Sequence, residues 1–472
     1  MNNPPLPRAR LYARTLACLG IILLWGGWGA PACCGTEDVS ISLTLEEAIE
    51  MALQSNRSYL NAVAGLEANE LDLQTARADF NPKWAPTARA GVTDETKSAG
   101  GGIGLQKRFT SGIVAKLLPV IGWEEDEYSS EIGVTLEVPL LRGFGKPVNL
   151  DSTLGAQFSL ASSRRTLHTR RVNLVLSTVN AVYDIIKQEE LVRVAADLVL
   201  QLKGHAATAG IREKAGLSTP MDVYRAQIRL KDAEDRLTGN NKALKDAQDR
   251  LKLILALPLE TDLAVSAPVY FNPLQVDVDD AVETALTHRV ELEEDRETVS
   301  EALRRAEVAR LNIRPQLDLV LNYNRLGIAE QFGGSMQFDD QQWGVNFVST
   351  TDWARTNEKA AYTKSKINVR AVKLDYLARM DEINREVRQQ LDSLKNAEER
   401  IRIREEQLRQ GEGKLALAKV KYTYNMADNF DVIEAETELQ QARINLLNNQ
   451  IDHILGLYKL KAVMGTLIER VT

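Results

Sequence analysis

The chain writes one pattern twice. "KAGLSTPMDVYRAQIRL" (Lys214–Leu230) and "YNMADNFDVIEAETEL" (Tyr424–Leu439) fall in register when Gly216 is laid over Asn425, 209 positions on. Leu217 then lies over Met426, Asp222 over Asp431, Val223 over Val432, Ala226 over Ala435 and Leu230 over Leu439. Upstream, "LTLEEAIEMAL" (Leu43–Leu53) resembles "VDVDDAVETAL" (Val276–Leu286) at an offset of 233. At that offset Ala48 pairs with Ala281, Glu50 with Glu283, Ala76 with Ala309, Arg77 with Arg310 and Pro82 with Pro315. The offset falls from 233 to 209, so the first copy carries 24 extra residues between Pro82 and the turn. The Gly-rich run "TKSAGGGIG" (Thr96–Gly104) is the expected place for them, as a loop.

Each copy repeats one order of elements. A helix (about 44–80 and 278–312) runs up to a proline, which lacks the N–H and crowds the preceding turn. Alternating segments follow: "WAPTARAGV" and "SSEIGVTLEV" in the first copy, "QLDLVLNYN" and "QWGVNFVS" in the second. Period-two alternation predicts strands with two unlike faces. Then come a long helix (about 151–214 and 357–423), the repeated turn, and a return helix (about 219–256 and 428–465). The repeats divide the chain into a first unit at 43–257, a linker at 258–275 and a second unit at 276–472.

The long helices carry heptads. Met380, Val387, Leu394, Ile401, Leu408, Leu415 and Tyr422 recur every seven residues, as do Val223, Leu230, Leu237, Leu244 and Leu251. A strict heptad keeps an apolar seam facing a partner helix through a supercoil. A helix of roughly 65 residues spans about 100 Å, more than a compact domain uses. The repeated turn joins each long helix to its returning partner. Gly216 and Asn425 are residue types that accept the left-handed conformation ending a helix. Ser218 or Thr219, with Pro220 just inside, restarts the next helix, as do Asp428 or Asn429 in the second copy. Read locally, this is helix-hairpin punctuation and nothing more.

Charge and cysteine usage narrow the setting. The net charge of −7 gives no basic surface for nucleic acid. The three cysteines, Cys18, Cys33 and Cys34, all lie near the N-terminus, leaving the body without a disulfide framework or thiolate metal site. Residues 1–32 read as an export signal: Arg8, Arg10 and Arg14 precede "TLACLGIILLWGGWGA", and "APA" at Ala30–Ala32 suits signal peptidase. Residues 33–42 follow as a linker. Cys33 is a candidate for lipidation, although Ala30 and Pro31 make a poor lipobox. No later segment approaches the ~20 apolar residues of a membrane helix.

The strands point to a membrane by another route. Each copy supplies two strands near the ~9–11 residues of a tilted membrane strand. Asn322, Asn324 and Asn346 alternate with apolar residues, as in a wall with lipid outside and water inside. Four strands cannot close a barrel, and an open edge in lipid leaves backbone groups unsatisfied. Several chains must therefore share one barrel. Three give twelve strands, whereas two give eight, too narrow for a channel.

The whole mature sequence resembles a TolC-family outer-membrane efflux protein. The resemblance rests on "LTLEEAIEMALQSN", on "EVPLLRGFG" (Glu137–Gly145) after a strand, on the turns "AGLSTPMDV" and "YNMADNFDV", and on the duplication. It implies a mainly α chain with a small β part, trimeric, with a twelve-stranded outer-membrane barrel continuous with a periplasmic α-helical tunnel. The implied partners are a periplasmic adaptor and an inner-membrane transporter, with no cofactor. The implied role is the passive exit duct of a tripartite efflux or type I secretion system. The hairpin tips meet the adaptor in that family, which here means Gly216, Leu217, Ser218, Asn425, Met426 and Ala427. The family's aperture acids match Asp431 and Glu434, and its closing latch sets Tyr422 against Asp222. A basic latch residue of the family falls at Ala427, so that restraint is missing or replaced here.

Asp431 and Glu434 lie at i and i+3 on one helix face. In one chain that is an ordinary solvated face. Repeated threefold, it would form an acidic ring that favours cations at the tunnel mouth. His453 takes the heptad place of Leu244 and reads as a core or tunnel-lining histidine; His168, His205 and His288 lack ligand spacing. "GGGIG" and "GFGK" lack the phosphate-loop pattern and read as loops. Glu293 and Glu294 read as surface charges. No GxSxG, HExxH or CxxC is present, so no enzyme is expected. The competing reading is a non-pore structural coiled-coil protein of the envelope, which would need neither the strands nor "EVPLLRGFG".

Overall fold

The computed structural model describes residues 41–469 except 94–95, 217, 272, 274–275, 425 and 428. The expected export signal at 1–32 and the lipidation candidate Cys33 lie outside the described residues. The first copy runs β1 (Ile41–Thr44), α1 (Leu45–Ser55), α2 (Arg57–Ala78), β2 (Lys83–Val92), β3 (Lys97–Arg108), β4 (Val114–Glu124), β5 (Glu127–Pro139), α3 (Lys146–Asn149), α4 (Asp151–Lys214) and α5 (Pro220–Ile254). The second runs β6 (Leu263–Ser266), α6 (Val278–His288), α7 (Val290–Asn312), β7 (Asp318–Ala329), α8 (Phe332–Ser335), β8 (Asp340–Val348), α9 (Thr356–Thr423) and α10 (Asn429–Val463).

The duplication is visible in detail. The expected first helix of each copy is broken once, at Asn56 and at Arg289, both extended. These positions are 233 apart, the offset of this part of the sequence. Asn56 makes the break useful. Its Oδ1 accepts from the Tyr59 N–H at 3.0 Å, capping α2, and its Nδ2 donates to the Ile254 carbonyl at 2.9 Å. α4 packs along α5, and α9 along α10. The heptad positions are the seam: Val387, Ile401 and Leu251 are fully buried and Leu394 nearly so.

The largest core lies partway along the helices, where the copies meet. Val179, Val182, Tyr183 and Ile185 of α4 pack with Ala48 and Ala52 of α1, Leu251 of α5, and Ile451 and Ile454 of α10. β1 and β6 pair in parallel beside it, from Ile41↔Leu263 to Thr44↔Ser266, a union the sequence did not signal. A second core joins α6 and α7 to Ile383, Val387 and Leu391 of α9. Ion pairs knit the copies together. Arg165 of α4 reaches Glu294 and, at 2.7 Å, Glu297 of α7; Arg304 of α7 reaches Glu301 at 2.7 Å and Asp151 of α4. Glu294 is thus held between the copies rather than simply solvated.

The sheet corrects the expected strand count. It contains six strands in the order β2-β3-β4-β5-β7-β8, every neighbour antiparallel. The four expected strands are β2, β5, β7 and β8. The "TKSAGGGIG" run is not a loop; it lies mainly in β3. The extra residues of the first copy form a β3–β4 hairpin of 12 and 11 residues. Three chains would therefore supply eighteen strands and two would supply twelve, so strand arithmetic no longer selects a trimer by itself. The loop reading failed because glycine was taken as a local signal. Pro119 sits inside β4, where it would normally argue against a central strand.

Candidate functional site

The sheet has two unlike faces. Across the registered pairs one face carries Trp84, Leu105, Leu117, Val134, Tyr323 and Trp343 on successive strands. Each of those strands continues the pattern at period two, as in Ile132, Val134 and Leu136 of β5 and Trp343, Val345 and Phe347 of β8. Trp84, Trp343 and Phe347 are 69 %, 79 % and 68 % exposed, so this face is open around them; only its far end is covered, where α8 packs on β5 and β7 and Ser335 Oγ lies 2.9 Å from Ser130 Oγ. The opposite face carries Lys116, Glu131, Thr135, Glu137, Asn322, Asn324 and Asn346, and Lys116 Nζ meets Glu137 Oε1 there at 2.6 Å. Apolar out and polar in is the pattern of a membrane barrel wall. None of the described helices is long and apolar enough to cross a membrane.

The "EVPLLRGFG" segment turns the wall into the helices. The Leu140 N–H donates to the Leu317 carbonyl at 2.8 Å, and the Arg142 side chain reaches Glu358 of α9 at 3.1 Å. Asn149, nearly buried, donates to the Gly143 and Gly145 carbonyls at 2.7 and 3.0 Å and accepts from Arg108 at 3.1 Å. Asn149 was not singled out by sequence reasoning. Its place four residues after Gly145 was the signal available.

At the far end of the helices lie the tips. Gly216 has φ +73° and its N–H closes onto the Glu213 carbonyl at 2.9 Å, as the sequence anticipated for a helix stop. A Cβ there would meet nothing within 4 Å, so the turn itself is the only demand for glycine. Thr219 caps α5 in a capping box with Asp222, whose Oδ2 accepts from the Thr219 N–H at 3.0 Å, Thr219 Oγ1 at 2.7 Å and Ser218 Oγ at 3.1 Å. The Thr219 bonds hold the Asp222 carboxyl below its ordinary pKa. Tyr422 lies under Arg212, whose guanidinium carbon is 4.5 Å from the ring centroid. The Tyr422 hydroxyl is buried without a hydrogen-bond partner among the described residues. Within one chain, then, Asp222 serves its own helix start and Tyr422 stacks on α4. Met426 is 75 % exposed; Leu217 and Asn425 lie outside the described residues, and Ala427 is half-buried. Met221, Tyr224, Tyr424 and Phe430 are exposed around the same two turns. Sequence reasoning passed over these side chains, which give the tips an apolar surface.

Asp431 and Glu434 are both exposed at the start of α10. Lys414 of α9 stands nearby: its Nζ pairs with Glu438 at 2.6 Å, and Glu438, Glu434 and Asp431 together raise its pKa. Just above, Glu436 is 4 % exposed, between His205 Nε2 of α4 at 3.0 Å and Lys419 Nζ of α9 at 3.2 Å. Burial pushes its pKa up, but the bonds to His205 and Lys419 outweigh that and hold it below the ordinary value. A depressed carboxyl stabilises the fold above its unfolded pKa, and that stabilisation disappears as pH falls through the folded value. Glu436→Gln is therefore expected to cost about 1–3 kcal/mol near neutrality and to flatten the acid limb. Urea midpoints taken from pH 3 to 7 check this; an equally steep acid limb in the variant would exclude Glu436 as its source. His453 is fully buried, edge-on to Phe271 at 5.0 Å and 3.5 Å from Glu398.

The sequence profile described as "outer membrane efflux protein" matches residues 48–257. The probable efflux pump outer membrane protein TtgC of Pseudomonas putida is 22 % identical over 428 residues, 88 % of this chain and 82 % of TtgC, and the antibiotic efflux pump outer membrane protein ArpC of Pseudomonas putida matches equally. Among solved structures, the outer-membrane channel CmeC of Campylobacter jejuni superposes with a TM-score of 0.71 at 12 % identity, covering 91 % of this chain and 87 % of CmeC. The open-state outer-membrane channel MtrE of Neisseria gonorrhoeae gives a TM-score of 0.66 at 18 % identity, covering 90 % of this chain and 89 % of MtrE. With the apolar wall and the repeated hairpins, the chain is similar to outer-membrane efflux proteins, in sequence over residues 48–257 and in fold along most of its length.

Proposed function

We propose that the protein is the passive outer-membrane duct of a tripartite exporter, assembled from three copies and recruited at its hairpin tips by a periplasmic adaptor serving an inner-membrane transporter. The observation that carries the reading is the apolar face of the sheet, open except where α8 packs on its far end, set on helices of 64 and 68 residues. A coiled-coil envelope protein without a pore has no use for that face. The sheet ends in two unpaired edges, β2 and β8, which run antiparallel to one another and so match edge to edge between copies. The trimer is supported by the family resemblance. Adaptor docking is supported by the exposed Met426, Met221, Tyr224 and Tyr424 at the tips. Asp431 and Glu434 then line the aperture as a threefold acidic ring, and Tyr422 and Asp222 belong to the element that opens it.

Reconstituted into planar bilayers, the protein is expected to give discrete conductance steps. A folded, inserted protein that conducts nothing would return the reading to a structural coiled coil. Gly216→Val tests the tip. A β-branched side chain resists positive φ, and the strain of roughly 1–2 kcal/mol falls in an exposed turn. Transport by the complete exporter is expected to fall severalfold while channel assembly and thermal stability stay near wild type. Full export by an assembled variant would remove this turn from docking.

A further inference from the structure

We propose that the β3–β4 hairpin stands in the membrane wall, so that every copy contributes six strands and three copies close an eighteen-stranded barrel. The trimer in this statement rests on the function proposed above; the six-strand contribution does not.

Four observations place the hairpin in the wall rather than in the lumen or folded away outside. First, β3 and β4 are 12 and 11 residues long, enough to cross a bilayer, where a tilted strand needs ~9–11. Second, they continue both faces of the sheet in register. Leu105 and Leu117 fall on the lipid-facing row with Trp84 and Val134, and Ile121 lies further along it, while Lys116 falls on the polar face with Thr135. A hairpin detached from the wall would have no reason to hold this phase, since a one-residue slip exchanges the faces.

Third, the hairpin is tied at each end. Its outer connection to β5 is a tight turn with Glu125 at φ +53°, closed by the Glu124↔Glu127 pair. Its inner turn is fixed to the junction with the helices. Gly145 N–H donates to the Ser111 carbonyl at 2.9 Å, Arg108 bonds Asn149 at 3.1 Å, and Lys107 Nζ bonds the Phe80 carbonyl at 2.6 Å. Among the described residues, no slack segment is left on which the hairpin could swing out.

Fourth, β3 and β4 are shaped for each other. A Cβ on Gly102 would lie 2.3 Å from the Pro119 carbonyl oxygen and 3.1 Å from Val120 Cγ2, and one on Gly104 would lie 3.3 Å from Leu118 Cδ1. Leu118 and Val120 thus lie across notches left by glycines on the inner face. This gives Leu118 and Val120 a place on the face they share with Lys116. It also accounts for the glycines, which give close approach of two strands rather than a flexible loop.

Width is the consequence. With strands about 4.8 Å apart and tilted about 40°, eighteen strands enclose a wall about 36 Å across, against about 24 Å for twelve. The cross-section is about doubled. The limit on solute size then lies in the helical tunnel and its tip, and the barrel passes solutes that a twelve-stranded wall would hold back.

Single-particle imaging of the full-length channel in lipid nanodiscs tests this by counting copies and strands separately. Three copies with eighteen strands is the expected result. Two copies with twelve strands would uphold six strands per copy and overturn the trimer. Three copies with twelve strands would overturn the proposal and leave the trimer standing. A second measurement needs no image. Fluorophores placed on Leu117→Cys and Ile121→Cys are expected to be quenched by nitroxide lipids, and one on Leu118→Cys by a water-soluble quencher only. Aqueous quenching at all three positions would place the hairpin outside the wall and overturn the proposal.

Discussion

Val134→Arg is expected to abolish insertion of the assembled channel into lipid, whereas Thr135→Arg, one residue on, leaves it intact. Val134 sits near the middle of β5, on the row shared by Leu117, Tyr323 and Trp343. An arginine near the midplane of a barrel's lipid face costs about 2–4 kcal/mol, and the proposed trimer would carry the change three times. Thr135 is on the opposite face, paired with Asn322 and Lys116, where a guanidinium meets water. The contrast separates a membrane wall from an exposed sheet in water. The check is flotation of proteoliposomes, with the protein in the floated fraction counted on gels. Equal behaviour of the two variants would exclude Val134 from a lipid-facing row.

The second large effect concerns ion preference at the tip. In a closed threefold aperture Asp431 and Glu434 would place six carboxylates around one opening. Asp431→Asn with Glu434→Gln removes the charge and nearly keeps the volume. The reconstituted channel is expected to lose most of its cation preference and its block by multivalent cations. Lys414 opposes those acids from α9, so Lys414→Gln is expected to move cation preference the other way. If the acids face bulk water instead, salt screens them within about 8–10 Å and neither variant changes anything. Reversal potentials in a salt gradient decide. An unchanged value in the double variant would leave the two acids as a solvated helix face.

Much of this architecture was legible in the chain. The copies are read from one offset that changes once, and their shared helix break falls at the same offset. Stops and starts at Gly216, Thr219 and Pro220 are local chemistry, with consequences confined to a few residues. The heptads reported the seams because a helix buries what it repeats. Four strands showed because their two faces differ in composition. The tip cluster was less legible. Gly216, Ser218 and Met426 were picked out from the repeated turn, and Asp431 and Glu434 from the acids crowded after its second copy and the family resemblance, but Met221, Tyr224 and Tyr424 look unremarkable until both turns stand side by side. Glu436 and His205 are 231 residues apart, and no local pattern joins them.

By itself the sequence determined the repeated hairpins, their length, their turns and the two-faced strands, because each depends on periodicity or on backbone preferences acting over a turn or two. Only the tertiary structure decided that "TKSAGGGIG" and the Pro-containing β4 are sheet rather than loop. Locally, glycine and proline weaken a strand. Between β2 and β5 that weakness is offset by hydrogen bonds on either side and by Leu118 and Val120 lying over Gly104 and Gly102. Those contacts form only when the sheet has formed, so the number of strands in the wall is a property of the assembled neighbours and not of the segment that contains them.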